Sequence, residues 1–326
     1  MPALKRLAET LRSVPHVILK SEEPLAQYTR FAIGGPAALF CDTDSVPSFT
    51  TAWQMVRRSG VPSLVIGGGT NLIVSDAGFD GAVLRFRGAR AERDGEVLKV
   101  ESGAMLQEVV DKSIACGLRG MHTMTGIPGY LGGAVYGNAG AYGNSIHEVV
   151  ERVIFTDGEG VHTFSNEACE FGYRESVFKR RKEWIILSAC LRFRPGDPEV
   201  MRREADEIRA IRDAKYPPSM KCAGSIFKNV FYANLPEHVQ VQVPATLIRD
   251  GKIPSAWFLE QAGVKGMRRG DIQIAEYHAN LIYNDGHGRA SDLVAVIEDC
   301  KARVRQHFGF DLEEEVQYVG FAPVTV

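Results

Sequence analysis

The run Ser63-Leu-Val-Ile-Gly-Gly-Gly-Thr-Asn-Leu-Ile-Val-Ser-Asp76 sets three glycines between two short apolar segments. Successive glycines let the backbone turn with positive φ and come close to a ligand, so that their N–H groups converge on an anion. Two familiar phosphate motifs do not fit. A helical P-loop requires Gly-Lys-Ser/Thr after the turn, and the dinucleotide fingerprint requires Gly-x-Gly-x-x-Gly opening a helix. Gly67 and Gly69 begin the latter, but Leu72 occupies the third glycine position, and Leu72-Ile73-Val74 reads as strand rather than helix. This stretch alone leaves two readings, a phosphate cradle and a tight β-turn without a ligand.

On its N-terminal side, residues 3–13 have the spacing of a short amphipathic helix, and Tyr28–Phe40 reads as a strand interrupted by Gly34-Gly35-Pro36. Ser45 is placed to cap a helix running to about Arg58, with Gly60 closing it, so the first module is a β–α–β unit with a glycine turn. On its C-terminal side come short strands at Ala82–Phe86 and Val97–Val100, then a helix from about Met105 to Cys116 stopped by Gly117. The segment Gly126–Gly143 is the most glycine-dense of the chain. Its interspersed Tyr130, Leu131, Val135, Tyr136 and Tyr142 are unsuited to a solvated linker and suit backbone packed against a flat ligand.

Strands follow at Val149–Thr156, Val161–Phe164 and Trp184–Phe193, with Asp157-Gly158 as a hairpin signal. Pro195-Gly-Asp-Pro198 marks a domain boundary by composition, and a helix from about Pro198 to Asp213 leads to Lys215-Tyr-Pro-Pro218. The final third holds a helix Ser255–Ala262, strands near Ile272–Ala275 and Ala279–Tyr283, and a helix with Ser291 as N-cap, a stripe of Leu293, Val294, Ile297 and Val304, and Gly309 as stop. Leu312–Gly320 reads as a strand carrying alternating acidic side chains, an odd pattern for a core strand.

Composition narrows the function classes. With a formal net charge of −2 the chain lacks the global charge of a nucleic-acid binder, and Lys179-Arg-Arg-Lys182, its one dense basic run, reads as a solvated loop. The six cysteines are scattered without a Cys-x-x-Cys pair or clustered histidines, which argues against a metal site and a disulfide framework and for reduced thiols in the cytoplasm. Neither a secretory leader nor a membrane span is expected, and nothing in the sequence speaks to oligomeric state.

Six motifs in order carry a resemblance: Thr29-Arg-Phe31, Gly67-Gly-Gly-Thr-Asn71, Gly126-Ile-Pro-Gly129, Asn138-Ala-Gly-Ala-Tyr142, Tyr173-Arg-Glu-Ser176 and Gly224-Ser-Ile-Phe-Lys-Asn229. Each is weak alone; in this order and spacing the chain resembles the UDP-N-acetylenolpyruvoylglucosamine reductase family from Tyr28 to Gly320. The resemblance implies an α+β protein: a two-part FAD-binding domain of the vanillyl-alcohol oxidase type over residues 1–200, with subdomains of about 15–80 and 81–200 and the tail 313–326 joining it, and a C-terminal α/β substrate-binding domain over 201–312. It implies FAD cradled by Gly67, Gly68, Gly69, Thr70 and Asn71, with Gly126, Gly129, Gly133, Asn138, Ala139 and Gly140 along the cofactor. Because the glycine loop holds neither His nor Cys, FAD is expected to be non-covalent, with Cys116 and His122 as the side chains close enough in sequence to bear on that.

The reaction so implied reduces the enolpyruvyl ether of a UDP-sugar to a lactyl ether in peptidoglycan precursor synthesis. Hydride passes from NADPH to the flavin and then to the double bond, where enolate-like negative charge develops. Such chemistry needs preorganised positive charge at the carboxylate and a proton donor at the adjacent carbon. Carried over by motif, Ser225 is the proton donor, Arg174 and Glu315 stabilise the developing charge, Lys215 and Asn229 hold the UDP pyrophosphate, and Gln273, His278 and Asn280 fall in a substrate-facing segment. Glu313 and Glu314 adjoin Glu315, so a one-residue slip of register would present another carboxylate. Two departures are visible. Val230 stands where a proline commonly follows Lys-Asn, and residues 231–255 are longer than in compact family members, as an extra hairpin or a covering loop. Another FAD-dependent oxidoreductase of the same fold, or a catalytically silent flavin-binding protein, is the rival reading.

Overall fold

The computed structural model describes residues 2–321. The chain forms two compact units, one of Met1–Glu23, Ala37–Gly69 and Asp80–Pro217, the other of Pro24–Pro36, Thr70–Phe79 and Pro218–Val326. Residues 322–326 of the tail lie outside the described residues.

The first unit is built on two sheets. Strands Ile18–Pro24, Pro36–Thr43, Phe79–Phe86 and Ser63–Ile66 lie side by side in that order, the last two parallel with Ser63 opposite Ala82. Over this sheet pack Pro2–Leu11 and Val46–Ser59, which bury Leu7, Leu11, Phe49, Trp53 and Val56 against Leu39 and Leu84. The helix Val46–Ser59 begins and ends where its local signals say: the Ser45 hydroxyl accepts from the Ser48 amide, and Gly60 closes it at φ 68°.

The second sheet is antiparallel, in the order Val161–Ser165, Val150–Thr156, Ile185–Arg192, Val97–Glu101, Ala91–Asp94. Its apolar face shares a core with helices Leu106–Ala115 and Pro198–Lys215 through Leu98, Val110, Val153, Leu191, Met201 and Ala205. Inside the glycine-dense segment, to which the sequence assigns no regular element, the chain forms a helix, Leu131–Tyr136. Burial of Leu131, Ala134 and Val135 outweighs the poor helix propensity of Gly132 and Gly133, roughly 1 kcal/mol per glycine.

The second unit centres on an antiparallel sheet of Lys221–Ser225, His278–Asn284, Ile272–Ala275 and Arg268–Arg269 in that order. The helix Ala290–Phe308 buries Leu293, Val296, Ile297, Cys300, Val304 and Phe308. Residues 231–255 are closed at their base by a two-residue ladder, Val230 opposite Ile253 and Phe231 opposite Lys252, with short helical turns between. Val230 is thus a ladder residue. Tyr28–Phe40 is not one strand: Leu25–Tyr28 is a 3-10 turn and pairing starts at Pro36. Gly35 and Gly78 are packing glycines, since a Cβ on Gly35 would meet the Asp76 carbonyl oxygen at 2.3 Å and one on Gly78 the Pro36 oxygen at 2.0 Å.

Two expectations about the end of the chain are corrected. Of Leu312–Gly320, only Gln317–Val319 is strand, and it runs parallel to Leu72–Val74; the acidic residues precede it, which resolves their poor fit to a core strand. Ser291 is not the N-cap of the long helix. Arg289 occupies that position without a side-chain cap, and Asp76, 214 positions before Ala290, supplies it: Oδ1 accepts from the Ala290 amide at 2.8 Å and Oδ2 from the Ser291 amide at 3.0 Å.

Partial burial pushes the Asp76 carboxyl up, but the two amides, the Ser291 hydroxyl and Arg289 outweigh it and hold the group below its ordinary value. A carboxyl depressed in the folded state stabilises fully above its unfolded pKa and loses that contribution as pH falls through the folded value. Asp76→Ala should therefore cost about 1 kcal/mol at neutral pH, the usual worth of a helix cap. In denaturant titrations the gap to wild type should narrow as pH is lowered through the carboxylate range; a gap unchanged by pH would assign the effect to packing instead.

Candidate active site

In the first unit, the strand Ser63–Ile66 delivers the chain into Gly67-Gly68-Gly69, of which Gly69 alone has positive φ, 59°. The other two matter through close approach. A Cβ on Gly68 would stand 3.0 Å from the Gly129 Cα, and one on Gly67 would touch the Tyr130 ring at 3.7 Å. Gly126 and Gly129 have φ 79° and 111°, a region favoured by glycine, and fold Gly126-Ile-Pro-Gly129 back towards Gly68. The Gly126 amide is held by Gln107 Oε1 at 2.8 Å and the Gly129 oxygen by the Leu106 amide at 2.9 Å. Just before this loop the hydroxyl oxygens of Thr123 and Thr125 are buried with no hydrogen-bond partner among the described residues. Sequence reasoning passed over both; the signal was a pair of threonines beside the buried Met121 and Met124.

His122 does not stand free beside them. Its Nε2 lies 2.8 Å from Glu204, and burial, with the nearby Arg119, holds its pKa below the ordinary value against the pull of Glu204.

The Asn138–Tyr142 motif contributes largely to its own architecture. Asn138 is buried at φ 42°, and its amide donates to the Gly172 oxygen at 2.7 Å and accepts from the His147 amide at 3.3 Å. Ala139 donates to the Ala134 oxygen and accepts from Ile146, while a Cβ on Gly140 would meet the Asn144 oxygen at 2.5 Å. Gly133, by contrast, faces open space. Through Gly172, Asn138 also fixes the turn Gly172–Glu175 that carries Arg174.

Arg174 adopts φ 58°, a left-handed conformation costing roughly 1–2 kcal/mol for a non-glycine residue. The turn is further held by Lys179 Nζ on the Arg174 oxygen at 2.8 Å and the Ser176 hydroxyl on the Tyr136 oxygen at 2.7 Å. The guanidinium donates to the Gly140 oxygen at 2.9 Å and lies over the Tyr173 ring at 5.2 Å. Glu170 is paired with Arg180, and Glu175 with Lys179. Lys215 closes the helix Pro198–Lys215, its ammonium 5.1 Å from the Tyr216 ring.

In the second unit, Thr70 and Asn71 complete the glycine loop. Asn71 Nδ2 donates to the Glu315 backbone oxygen at 2.8 Å, and the Asn71 backbone oxygen accepts from the Gln317 amide at 2.9 Å. The Glu315 amide in turn donates to the Ile226 oxygen at 2.7 Å, beside Ser225. Ser225 ends its strand after a bulge: pairing shifts between Cys222 and Ser225, and the intervening Gly224 has φ 79°. Glu313 pairs with Lys228, and Glu314 with Lys301 at 3.1 Å and the Tyr318 hydroxyl at 3.4 Å. Asn229 is exposed. Gln273 Oε1 accepts from Tyr283 at 3.0 Å and Arg268 at 3.2 Å, and His278 Nδ1 accepts from the Asn280 amide at 3.4 Å. Asn280 itself is 2% exposed, with its side chain turned inward, contrary to the substrate-facing expectation.

An FAD-binding domain model matches residues 38–165, and a model of the UDP-N-acetylenolpyruvoylglucosamine reductase C-terminal domain matches 216–319. The UDP-N-acetylenolpyruvoylglucosamine reductase of Solibacter usitatus is 52% identical over 310 residues, 95% of this chain and 99% of that protein. That of Rubrobacter xylanophilus is 36% identical, covering 92% and 95%. The crystal structure of the reductase from Thermus caldophilus superposes with a TM-score of 0.72 at 28% identity over 93% of this chain and 98% of that one. The first unit's loops suit the cofactor so indicated: glycines where a Cβ would fill the cradle, and two buried hydroxyls without partners at its margin. Among the described residues no cluster of side chains suits a metal ion, and no helix is long and apolar enough to cross a membrane.

Proposed function

The chain belongs to the UDP-N-acetylenolpyruvoylglucosamine reductase family, an FAD-dependent oxidoreductase family, and on that basis we propose how its own residues serve the reaction. The substrate is UDP-N-acetylglucosamine enolpyruvate and the product UDP-N-acetylmuramate, a peptidoglycan precursor. NADPH is the hydride donor, the cell-wall step takes place in the cytoplasm, and FAD is held without a covalent link. The flavin, when bound, accepts hydride from NADPH and supplies it to the enolpyruvyl carbon.

Within residues 38–165, matched by the FAD-binding model, Gly67, Gly68, Gly69, Thr70 and Asn71 cradle the FAD pyrophosphate, and Gly126 and Gly129 lie along the cofactor. Gly133, Ala139 and Gly140 border the cofactor, while Asn138 acts mainly by fixing the Arg174 turn. Arg174 then offers a permanently charged, oriented guanidinium to the substrate carboxylate, where charge builds up. Lys215 and Asn229 hold the UDP pyrophosphate, and Gln273 and His278 face the sugar nucleotide. Residues 218–321 carry the acid: Ser225 protonates the carbon next to the carboxylate, and Glu315 supports the developing enolate by a hydrogen bond that only its acid form can donate. One observation carries this pairing. The Glu315 amide donates to the Ile226 backbone oxygen at 2.7 Å, so the residue next to Ser225 is tied directly to Glu315. Rival flavin oxidase and silent-binder readings leave the matched C-terminal domain without a role.

Anaerobic addition of NADPH to the purified yellow protein should bleach its absorbance, and UDP-N-acetylglucosamine enolpyruvate should restore it in a stoichiometric step with one lactyl ether formed per flavin. Colour that returns only on admitting oxygen would refute the assignment.

A further inference from the structure

We propose that Asn280 is a positioning residue for the protonation step, a buried amide that sets the peptide joining Ser225 to Phe227 against the Glu313–Glu315 segment. The inference rests on the reading of Ser225 as proton donor. Every hydrogen-bonding valence of the Asn280 side chain is engaged. Oδ1 accepts from the Ile226 amide at 3.1 Å and the Phe227 amide at 2.9 Å; Nδ2 donates to the Phe227 oxygen at 2.9 Å and to Ser255 Oγ at 2.7 Å. Two backbone N–H groups can only donate, so the orientation of the amide is fixed by its partners. Ser255, fully buried, donates its own hydroxyl to the same Phe227 oxygen at 3.2 Å.

The peptide so gripped lies between two structures. On one side is Asn280, whose backbone oxygen also accepts from the Ile226 amide at 3.2 Å. On the other, the Ile226 oxygen accepts from Glu315 at 2.7 Å, Phe227 forms a bridge with Glu314, and the Lys228 amide donates to the Glu313 oxygen at 2.9 Å. Ser225 pairs with Leu281 after a bulge at Gly224 and is the last residue of its strand, so the ladder holds it from one side only. Asn280 holds the chain one residue further on. It also sets the carbonyl to which Glu315 is tied, so a single buried side chain governs the backbone of the acid and of the carboxylate. Being 2% exposed and saturated, it has no group left for the sugar nucleotide.

Asn280→Asp keeps the shape but removes both donors and sets a carboxylate against the Phe227 oxygen; Ser255→Ala removes one hydroxyl. Both should retain FAD and be bleached by NADPH at the wild-type rate, with little change in the substrate concentration needed for half-saturation. Reoxidation by UDP-N-acetylglucosamine enolpyruvate should slow about tenfold to a hundredfold in Asn280→Asp, the usual effect of misplacing a catalytic group by an ångström, and less in Ser255→Ala. Relative to wild type, Asn280→Asp should recover as pH falls, because the protonated acid regains one donor, while Asn280→Ala should show no such recovery. A role confined to stability would not produce that pH profile. Wild-type reoxidation in Asn280→Asp, or equal slowing of both half-reactions, would overturn the proposal. Ser225→Ala measured alongside separates the two ideas: if that variant reoxidises normally the serine assignment fails, and if it is slow while Asn280→Asp is normal only the positioning role fails.

Discussion

Ser225→Ala is expected to bind FAD and to be bleached by NADPH at close to the wild-type rate, because that hydride transfer uses no serine proton, and then to be reoxidised by the UDP-sugar very slowly. Loss of a positioned general acid costs about a hundredfold to ten-thousandfold, and the upper end is expected here because the neighbouring Ile226 and Phe227 carry no proton to substitute. Serine is a weak acid. It suffices only for a strongly basic partner, such as the carbon of an enolate dianion, and only if its alkoxide is stabilised in passing. Ser225→Cys, with a more acidic group reaching roughly the same place, should regain part of the rate. The substitution leaves the bulge at Gly224 and the Ser225–Leu281 pairing in place, so the backbone has no reason to move. Stopped-flow absorbance separates the two phases; equal slowing of both would make Ser225 a turn residue.

Gly68→Val should yield folded protein without flavin. The new Cβ would stand 3.0 Å from the Gly129 Cα and 3.6 Å from the Tyr130 ring, and its two methyls would enter the remaining gap. Gly129 cannot retreat easily, since its oxygen is bonded to Leu106 and Tyr130 is bridged to Met105. The strain is therefore one of close approach rather than of φ, because the left-handed turn falls at Gly69. Gly67→Ala, whose Cβ would make an ordinary 3.7 Å contact, should keep most of its colour. Absorbance of the purified variants, with circular dichroism to confirm folding, decides the matter; full FAD content in Gly68→Val would remove the loop from the cofactor.

What was legible beforehand was local. Ser45 and Gly60 cap their helix from either end, and the strand Leu72–Val74 follows the glycines as its side chains dictate. Signals that failed depended on partners distant in sequence. Ser291 has the chemistry of an N-cap, but an aspartate elsewhere in the chain does that work. Leu131–Tyr136 is helical because three of its residues are buried, against the propensity of its glycines. The motif around Asn280 suggested contact with substrate, and only the burial and bonding of its amide assign it to Ile226 and Phe227. Of the three successive glutamates the motif singled out Glu315, but the lysines that meet its neighbours, Lys228 at Glu313 and Lys301 at Glu314, are distant in sequence and could not be read from it.

The second unit is assembled from three separated pieces of chain, Pro24–Pro36, Thr70–Phe79 and Pro218–Val326. During synthesis the two early pieces emerge with their partners still unmade. Leu72–Val74 has no neighbour until Gln317–Val319 has been translated, and Asp76 holds an uncapped carboxylate until Ala290 arrives. Such non-local closure is slow, because the entropy of a long loop must be overcome before the contact rewards it. The unit that bears Ser225 and Glu315 therefore cannot complete its fold before Gln317–Val319 has been made, and the proton donor proposed for Ser225 would be assembled only after the glycines proposed to hold the cofactor.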